Sequence, residues 1–370
     1  MGNSNKAFQF RIYPTAEQEE LFAKTFGCCR FIYNQMLSDK IEAYKKNGKM
    51  LKTTPAAYKK DFPWLKEVDS LALANVQLHL ERAYRNFFER PETGFPKFKS
   101  KHHSRNTYTT NLVNGNIRLS ENEIRLPKAG VVKAKIHRQV PEGFQMKAVT
   151  VRRQPSGKYY VSILFEYCED ENQVRDREGR ELKVIGIDYV MHGLAVFSDG
   201  SKCEYPDYYR RSEKRLGREQ RKLSRCECGS SNDEQQKKKV ARCHEKVKNQ
   251  RRDFHHKLSR KLAEEYDVVA VEDLNMKAMS QCLNFGKSVA DNGYGMLVNM
   301  LSYKLEDRGG KLVKVDRFFP SSKRCSKCGK VKQVLPLSER VYRCECGYTN
   351  DRDVNAAINI REEALRLFSA

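Results

Sequence analysis

The chain has 370 residues, with 70 Lys and Arg against 47 Asp and Glu, a formal charge of +23 and a pI near 9.5. At about 150 residues per domain this length predicts two or three folded units, and 39% hydrophobic residues can fill their cores, which excludes wholesale disorder. No run approaches the ~18 apolar residues that cross a bilayer, Met1 to Lys6 lack a secretory apolar stretch, and only four of the twelve cysteines are regularly spaced. The expectation is a soluble, cytoplasmic protein with reduced thiols and a polyanion as partner, not a membrane.

Phe8-Gln9-Phe10-Arg11-Ile12-Tyr13 alternates enough for a short strand, and Thr15 with Gln18 forms a capping box that predicts a helix behind Pro14. From there to about Arg90 apolar residues recur at helical spacing (Phe22, Phe26; Ile32, Met36; Leu73, Val76, Leu80), broken at Gly48, Pro55 and Pro63. After Pro91 the segment Gly94-Phe95-Pro96-Lys97-Phe98-Lys99 opens a run of short β segments reaching about Glu166. The clearest hairpin pairs 148–153 with 158–165 across Gln154-Pro155-Ser156-Gly157. A small barrel or sheet is predicted. Its basic residues, among them Lys97, Lys99, Lys101, Arg105, Arg152 and Arg153, are interleaved with Phe95, Phe98 and Tyr108, a mixture suited to phosphate contact and base stacking.

The third region begins near Lys183. Strands are predicted over 183–189, 194–198 and 202–205, the last two joined by an Asp199-Gly200 turn. Two helices follow around Gly229-Ser230-Ser231-Asn232: residues 209–225 hold eight positive and two negative side chains, residues 237–261 eleven and two. Such a hairpin can line a nucleic-acid channel. Strand 267–274, helix 291–306, strand 311–318 and helix 351–367 complete the order an RNase H-like fold requires.

Three acids fall at telling points of that order: Asp188 in the first strand, Glu272 in the strand Val268-Val269-Ala270-Val271-Glu272, and Asp353 at the start of the last helix. A carboxylate in an apolar strand is costly unless something pairs it. Two divalent cations, Mg²⁺ or Mn²⁺, would do so, and would activate water and stabilise the leaving oxygen in phosphodiester hydrolysis. Spacing leaves two alternatives open. Asp351 and Asp353 point about 200° apart on a helix, and Glu272 and Asp273 lie on opposite faces of a strand.

Cys325-Ser326-Lys327-Cys328 and Cys344-Glu345-Cys346-Gly347 read as a tetrahedral Zn²⁺ site of four thiolates, its second knuckle one residue short of the usual spacing. Cys226, Cys228, Cys243 and His244 imitate a second site, but their place in a highly charged helical hairpin favours free thiols.

With these residues in hand, the chain resembles the TnpB family, the RNA-guided nucleases of bacterial insertion sequences that are related to type V CRISPR effectors. The similarity rests on Phe10-Arg11-Ile12-Tyr13-Pro14-Thr15, Gly27-Cys28-Cys29-Arg30, Tyr33-Asn34, Gly94-Phe95-Pro96-Lys97-Phe98-Lys99 and Gly186-Ile187-Asp188. It continues through Gln220-Arg221-Lys222-Leu223-Ser224-Arg225, Val271-Glu272-Asp273-Leu274-Asn275, Ser321-Ser322-Lys323, and Asp351-Arg352-Asp353-Val354-Asn355-Ala356-Ala357. The resemblance implies a multidomain α+β protein. Its parts would be a wedge-like β-barrel (1–13 with 91–180), an inserted helical recognition lobe (14–90), a RuvC nuclease domain (181–317 with 351–370) and a zinc ribbon binding target nucleic acid (318–350).

It further implies Asp188, Glu272 and Asp353 as catalytic acids holding Mg²⁺, with zinc on Cys325, Cys328, Cys344 and Cys346. Nucleic-acid contacts would come from Arg11, Tyr13, Arg30, Tyr33, Asn34, Lys97, Lys99, Arg221, Lys222, Arg225, Ser321, Ser322 and Lys323. The implied partners are a guide RNA from the transposon end and a double-stranded DNA target with a short adjacent motif, in a monomeric ribonucleoprotein that joins the nucleoid when on target. The chain departs from the family in Tyr189-Val190-Met191-His192, where a small residue or Gly often follows the acid, and in Gly293-Tyr294, often Gly-Trp. Two other readings are an RNA-guided DNA-binding regulator without cleavage, against which the three intact acids count, and an RNA-independent transposon-associated DNA-binding protein.

Overall fold

The structure, a computed structural model, describes residues 3–101, 105–168, 181–191, 193–282, 286–336 and 338–369. His192 and residues 169–180 of the expected wedge lie outside them. The chain divides into two compact units, Met1–Glu169 and Asp170–Ala370.

In the first unit strand β1 (Asn3–Tyr13) leads into helix α1 (Ala16–Asn47), and the capping box forms as expected: Gln18 N donates to Thr15 Oγ1 and Thr15 N to Gln18 Oε1. Gln18 Nε2 also donates to the carbonyls of Ala129 and Val131, tying the helix start to the β region. Helix α1 ends at Gly48, whose φ of 64° suits a left-handed C-terminal cap. Helix α2 (Ser70–Glu89) is capped by Asp69. Six more strands follow: β2 (Thr107–Asn111), β3 (Arg118–Leu119), β4 (Glu123–Leu126), β5 (Gly130–Lys135), β6 (Gln145–Arg153) and β7 (Tyr159–Cys168).

They join β1 in one antiparallel sheet of order β2-β6-β7-β1-β5-β4-β3. Among the described residues the edge strands β2 and β3 do not pair with each other. Phe8, Phe10 and Ile12 of β1, Phe22 and Ile32 of α1, Leu73 and Leu80 of α2, and Val151 and Ile163 of the sheet belong to a single buried core. The helical and β segments of this unit therefore bury their apolar faces together.

The second unit is built on strands β8 (Val184–Tyr189), β9 (Ala195–Phe197), β10 (Lys202–Cys203), β11 (Val268–Glu272) and β12 (Lys311–Val315), in the order β10-β9-β8-β11-β12. The first three form an antiparallel meander, and β11 and β12 then add in parallel on the other side of β8. This three-two-one-four-five order is that of an RNase H-like sheet. Between β10 and β11 run the basic helices α3 (Tyr208–Leu223) and α4 (Ser231–Glu265). Short helices α5 (Met276–Cys282) and α6 (Gly286–Asn292) precede α7 (Tyr294–Glu306), and α8 (Arg352–Ser369) closes the chain.

Strand parity assigns the faces. Ile185, Ile187, Val269 and Val271 pack with Leu262 of α4 and Leu297 and Leu301 of α7. Val268, Ala270 and Val315 pack with Ile360 and Ala364 of α8. Gly186 lies under α8 so closely that a Cβ there would stand 2.1 Å from the Ala357 carbonyl oxygen. The helix expected over 291–306 begins instead at Tyr294, because Gly293 takes a left-handed φ of 62° and separates α6 from α7.

Candidate active site and metal centre

Asp188 follows Gly186 by two residues, and Glu272 follows Ala270 by two, so both carboxylates project on the face covered by α8. The parallel register pairs Val271 with Ile187, and one further step brings Glu272 beside Asp188 at the carboxyl ends of β8 and β11. Ligand sites of open α/β sheets lie at that edge. Asp353 enters from the first turn of α8.

Burial, then the charges of Glu272 and Asp353, push the Asp188 carboxyl well above its ordinary value, with only Arg352 opposing. Burial also raises Glu272, against a hydrogen bond that its carboxylate accepts from the Ser321 hydroxyl. Tyr294, from the layer on the other face, is buried with its hydroxyl unpartnered among the described residues. Burial first, then the charges of Asp188 and Glu272, raise its pKa.

The two choices that spacing left open differ in structure. Asp351 sits just before α8 and its Oδ1 accepts from the backbone N–H groups of Asp353, at 2.9 Å, and Val354, as an N-cap does. Its Oδ2 binds Lys202 Nζ at 2.8 Å. Burial pushes its carboxyl up, but Lys202 and the two N–H groups outweigh this and hold it below the ordinary range. Asp353 Oδ2 lies 3.9 Å from the Arg340 guanidinium. Asp273 turns outward to Lys314 at 3.6 Å and Arg317 at 3.2 Å.

In the ribbon, Cys325 Sγ lies 3.7 Å from Cys346 Sγ and Cys328 Sγ 3.6 Å from Cys344 Sγ, and all four sulfurs fall within 4.8 Å of one another. Four bonds of about 2.3 Å to one tetrahedral ion separate sulfurs by about 3.8 Å, so the thiols fit such an ion despite the short second knuckle. Gly329 and Gly347, with φ of 78° and 84°, turn each knuckle back on itself. Burial opposes ionisation of Cys325, but the backbone N–H groups of Cys328 and Lys327 bring its thiol down to about 7. Among the described residues no other His, Cys, Asp or Glu group is drawn together this tightly. Cys226, Cys228, Cys243 and His244 are not gathered, because Cys243 lies three turns into α4, away from the hairpin tip.

The expected nucleic-acid contacts occupy varied settings. Arg11 stacks on the Tyr13 ring at 4.7 Å. Asn34 exchanges hydrogen bonds with both backbone groups of Lys99, at 2.9 and 2.8 Å, and Lys99 Nζ stands 3.7 Å over the buried Tyr33 ring. Arg30 and Lys99, with His79 and Arg105, line a cavity of about 310 Å³ floored by Phe26, Val76 and Tyr108. Lys97, Arg221, Lys222, Arg225 and Lys323 are exposed, and Ser322 is half-buried. Ser321 is buried on Glu272. Sequence reasoning missed that contact, the cap at Asp351, and Asp291, a buried acid that accepts from Tyr209 N and Arg210 N at the start of α3.

A parallel-extended RNase H-like sheet with acids at its carboxyl edge and a four-cysteine ribbon defines a nuclease-type fold. Known proteins place the chain further. Residues 165–283 match a family described as "Probable transposase" (OrfB_IS605), residues 294–360 a Cas12f1-like TNB domain, and residues 1–49 a helix-turn-helix domain of the same OrfB group. In this structure that last segment is a strand followed by one uninterrupted helix. A Streptomyces pristinaespiralis protein named "Putative RNA-guided DNA endonuclease" is 35% identical, the match covering 97% of this chain and 89% of the relative. InsQ of Escherichia coli K12, named in the same way, is 31% identical over 96% and 91%. The chain belongs to this OrfB, or TnpB, family. A solved Cas12f1–sgRNA–target DNA complex shares the fold, with a TM-score of 0.63 at 14% identity over 97% of this chain and 99% of that one. No helix among the described residues is long and apolar enough to cross a membrane.

Proposed function

We infer that the protein is an RNA-guided DNA endonuclease: it binds a transposon-derived guide RNA and hydrolyses phosphodiesters of the DNA that the guide matches. The observation that carries this reading is the convergence of Asp188 and Glu272 at the carboxyl edge of the sheet with Asp353 beside them on α8. Buried oxygen donors whose charges oppose one another suit hard divalent cations, and Mg²⁺, with Mn²⁺ as substitute, is the proposed occupant. Such cations supply an activated water and a stabilised leaving oxygen. The chain's own part is to orient the three carboxylates, two from adjacent strand ends and one from a helix start, and to keep bulk water from one side with Tyr294.

The four thiols are proposed to hold a structural Zn²⁺. The cavity between α1, α2 and β2, with Arg30, Lys99 and Arg105 around an aromatic floor, suits a nucleotide's phosphate and base. Arg11, Tyr13, Lys97, Arg221, Lys222, Arg225, Ser322 and Lys323 are proposed to touch nucleic acid, base pairing reading sequence while the protein reads shape and a short duplex motif. The working complex is proposed as a monomeric ribonucleoprotein, and the domain limits as the wedge, helical, nuclease and ribbon segments given above.

The test is to express the protein with its native downstream flank, wash at high salt, and sequence the copurifying RNA. One enriched species ending in a flank-dependent segment, and cutting of matched DNA that Asp188→Ala abolishes without loss of binding, is the expected outcome. Binding without cutting by the wild type would favour the regulator. A smear of host RNA would return the RNA-independent reading.

A further inference from the structure

Three residues separate the first ribbon cysteine from Glu272's hydrogen-bond partner, and that short strap is clamped along its length. Asn359 Nδ2, buried in α8, donates to the Ser321 carbonyl at 2.8 Å and the Arg324 carbonyl at 2.7 Å. One turn earlier Asn355 Nδ2 donates to the same Arg324 carbonyl at 2.8 Å, and its Oδ1 accepts from Ser326 N at 3.1 Å. The Tyr342 hydroxyl donates to the Lys323 carbonyl at 3.0 Å. Three carbonyls of the strap are thus held by side chains of α8 and the ribbon. Its far end places the Ser321 hydroxyl on the Glu272 carboxylate, and its near end is Cys325. The two asparagines are 0% and 3% exposed. Buried amides of this kind are retained where every donor is used.

We propose that Ser321 is a positioning residue for Glu272, and that the strap 321–325, clamped by Asn355 and Asn359, makes the order of the four-thiolate centre a condition for metal binding at the carboxylates. The inference rests on the nuclease reading for its consequence, but not for its test. Ser321 fixes one carboxylate oxygen, Oε1, of Glu272. Without Ser321 the carboxylate is free to rotate away from the position that cations need. Partners of this kind cost about 10- to 100-fold in metal affinity when removed.

The experiment measures Mn²⁺ binding to the full chain, stripped of RNA, by electron paramagnetic resonance, beside zinc content and melting temperature. Ser321→Ala is expected to weaken Mn²⁺ binding about 10- to 100-fold with zinc retained, and Ser321→Thr, which keeps the hydroxyl, to restore it. Withdrawing zinc from the wild type should reproduce the weakening. In cleavage assays Ser321→Ala should raise the Mg²⁺ concentration for half-maximal rate far more than it lowers the rate at saturating Mg²⁺. Unchanged Mn²⁺ affinity in Ser321→Ala would overturn the proposal, as would weakening that appears only together with zinc loss. Because Asn359→Ala can fail to fold, it serves only as a second variant. A wild type that binds Mn²⁺ in this Ser321-dependent way but cuts no DNA would overturn the nuclease reading alone.

Discussion

Asp188 holds its proton in the folded chain at pH values where the unfolded chain has lost it, because burial and the neighbouring acids Glu272, Asp353 and Asp351 raise it above the ordinary 3.8. Folding without metal therefore takes up a proton, and stability falls as pH rises from 3.8 through the raised native value. Asp188→Asn removes that penalty. In EDTA near neutral pH it should melt higher than wild type, by about 0.5–2 kcal/mol, while cutting nothing. Equal melting would mean that Asp188 is not desolvated. Asp351 has the opposite sign: its carboxyl is held low, so its contribution is present above 3.8 and is lost as pH falls through the depressed value. Asp351→Ala should cost about 1 kcal/mol as a lost cap, and Asp351→Asn much less. Asp353→Ala should leave the melting temperature nearly unchanged and abolish cutting. The types of these residues were legible in sequence, but their division of labour was not. It depends on Lys202, 149 positions before Asp351, and on which strand face meets α8.

At the scale of elements, local signals served well where the cause was local. The Thr15–Gln18 cap and the hairpin across residues 154–157 formed as the residues dictate, with Arg153 opposite Tyr159. The break at Gly293 was missed, since the helical pattern runs through it and only a left-handed φ, packed against Arg251 and His255, ends α6 there. Of the glycines in the second unit, Gly186 leaves the least room for a side chain. Gly186→Ala sets a Cβ against the backbone of Ala357 and Arg361, neither able to yield without moving α8. Thermal unfolding should show a loss of about 3 kcal/mol or more, together with loss of cutting though no carboxylate has changed. A variant that melts like wild type would show that α8 can withdraw freely, contrary to its seat on the sheet.

Over the whole molecule, the +23 charge was legible from composition alone, whereas its placement was not. The exposed Arg221, Lys222 and Arg225 at the end of α3 carry a quantitative expectation. If all three meet phosphates, replacing them by Ala should lower the slope of log affinity against log salt by about 2 to 3, since each contact contributes about 0.7 to 0.9. An unchanged slope would place the hairpin tip off the nucleic acid. The order of the first sheet was likewise beyond the sequence, because its central strand comes from the amino terminus while its partners come later. Gln9 and Ser162, facing one another on β1 and β7, are 153 positions apart. That pairing sets a timetable for synthesis. Strand β1 can pair with β5 first but must keep its other edge open until β7, the last strand of the unit, emerges, so the sheet closes only on that late capture of an early strand.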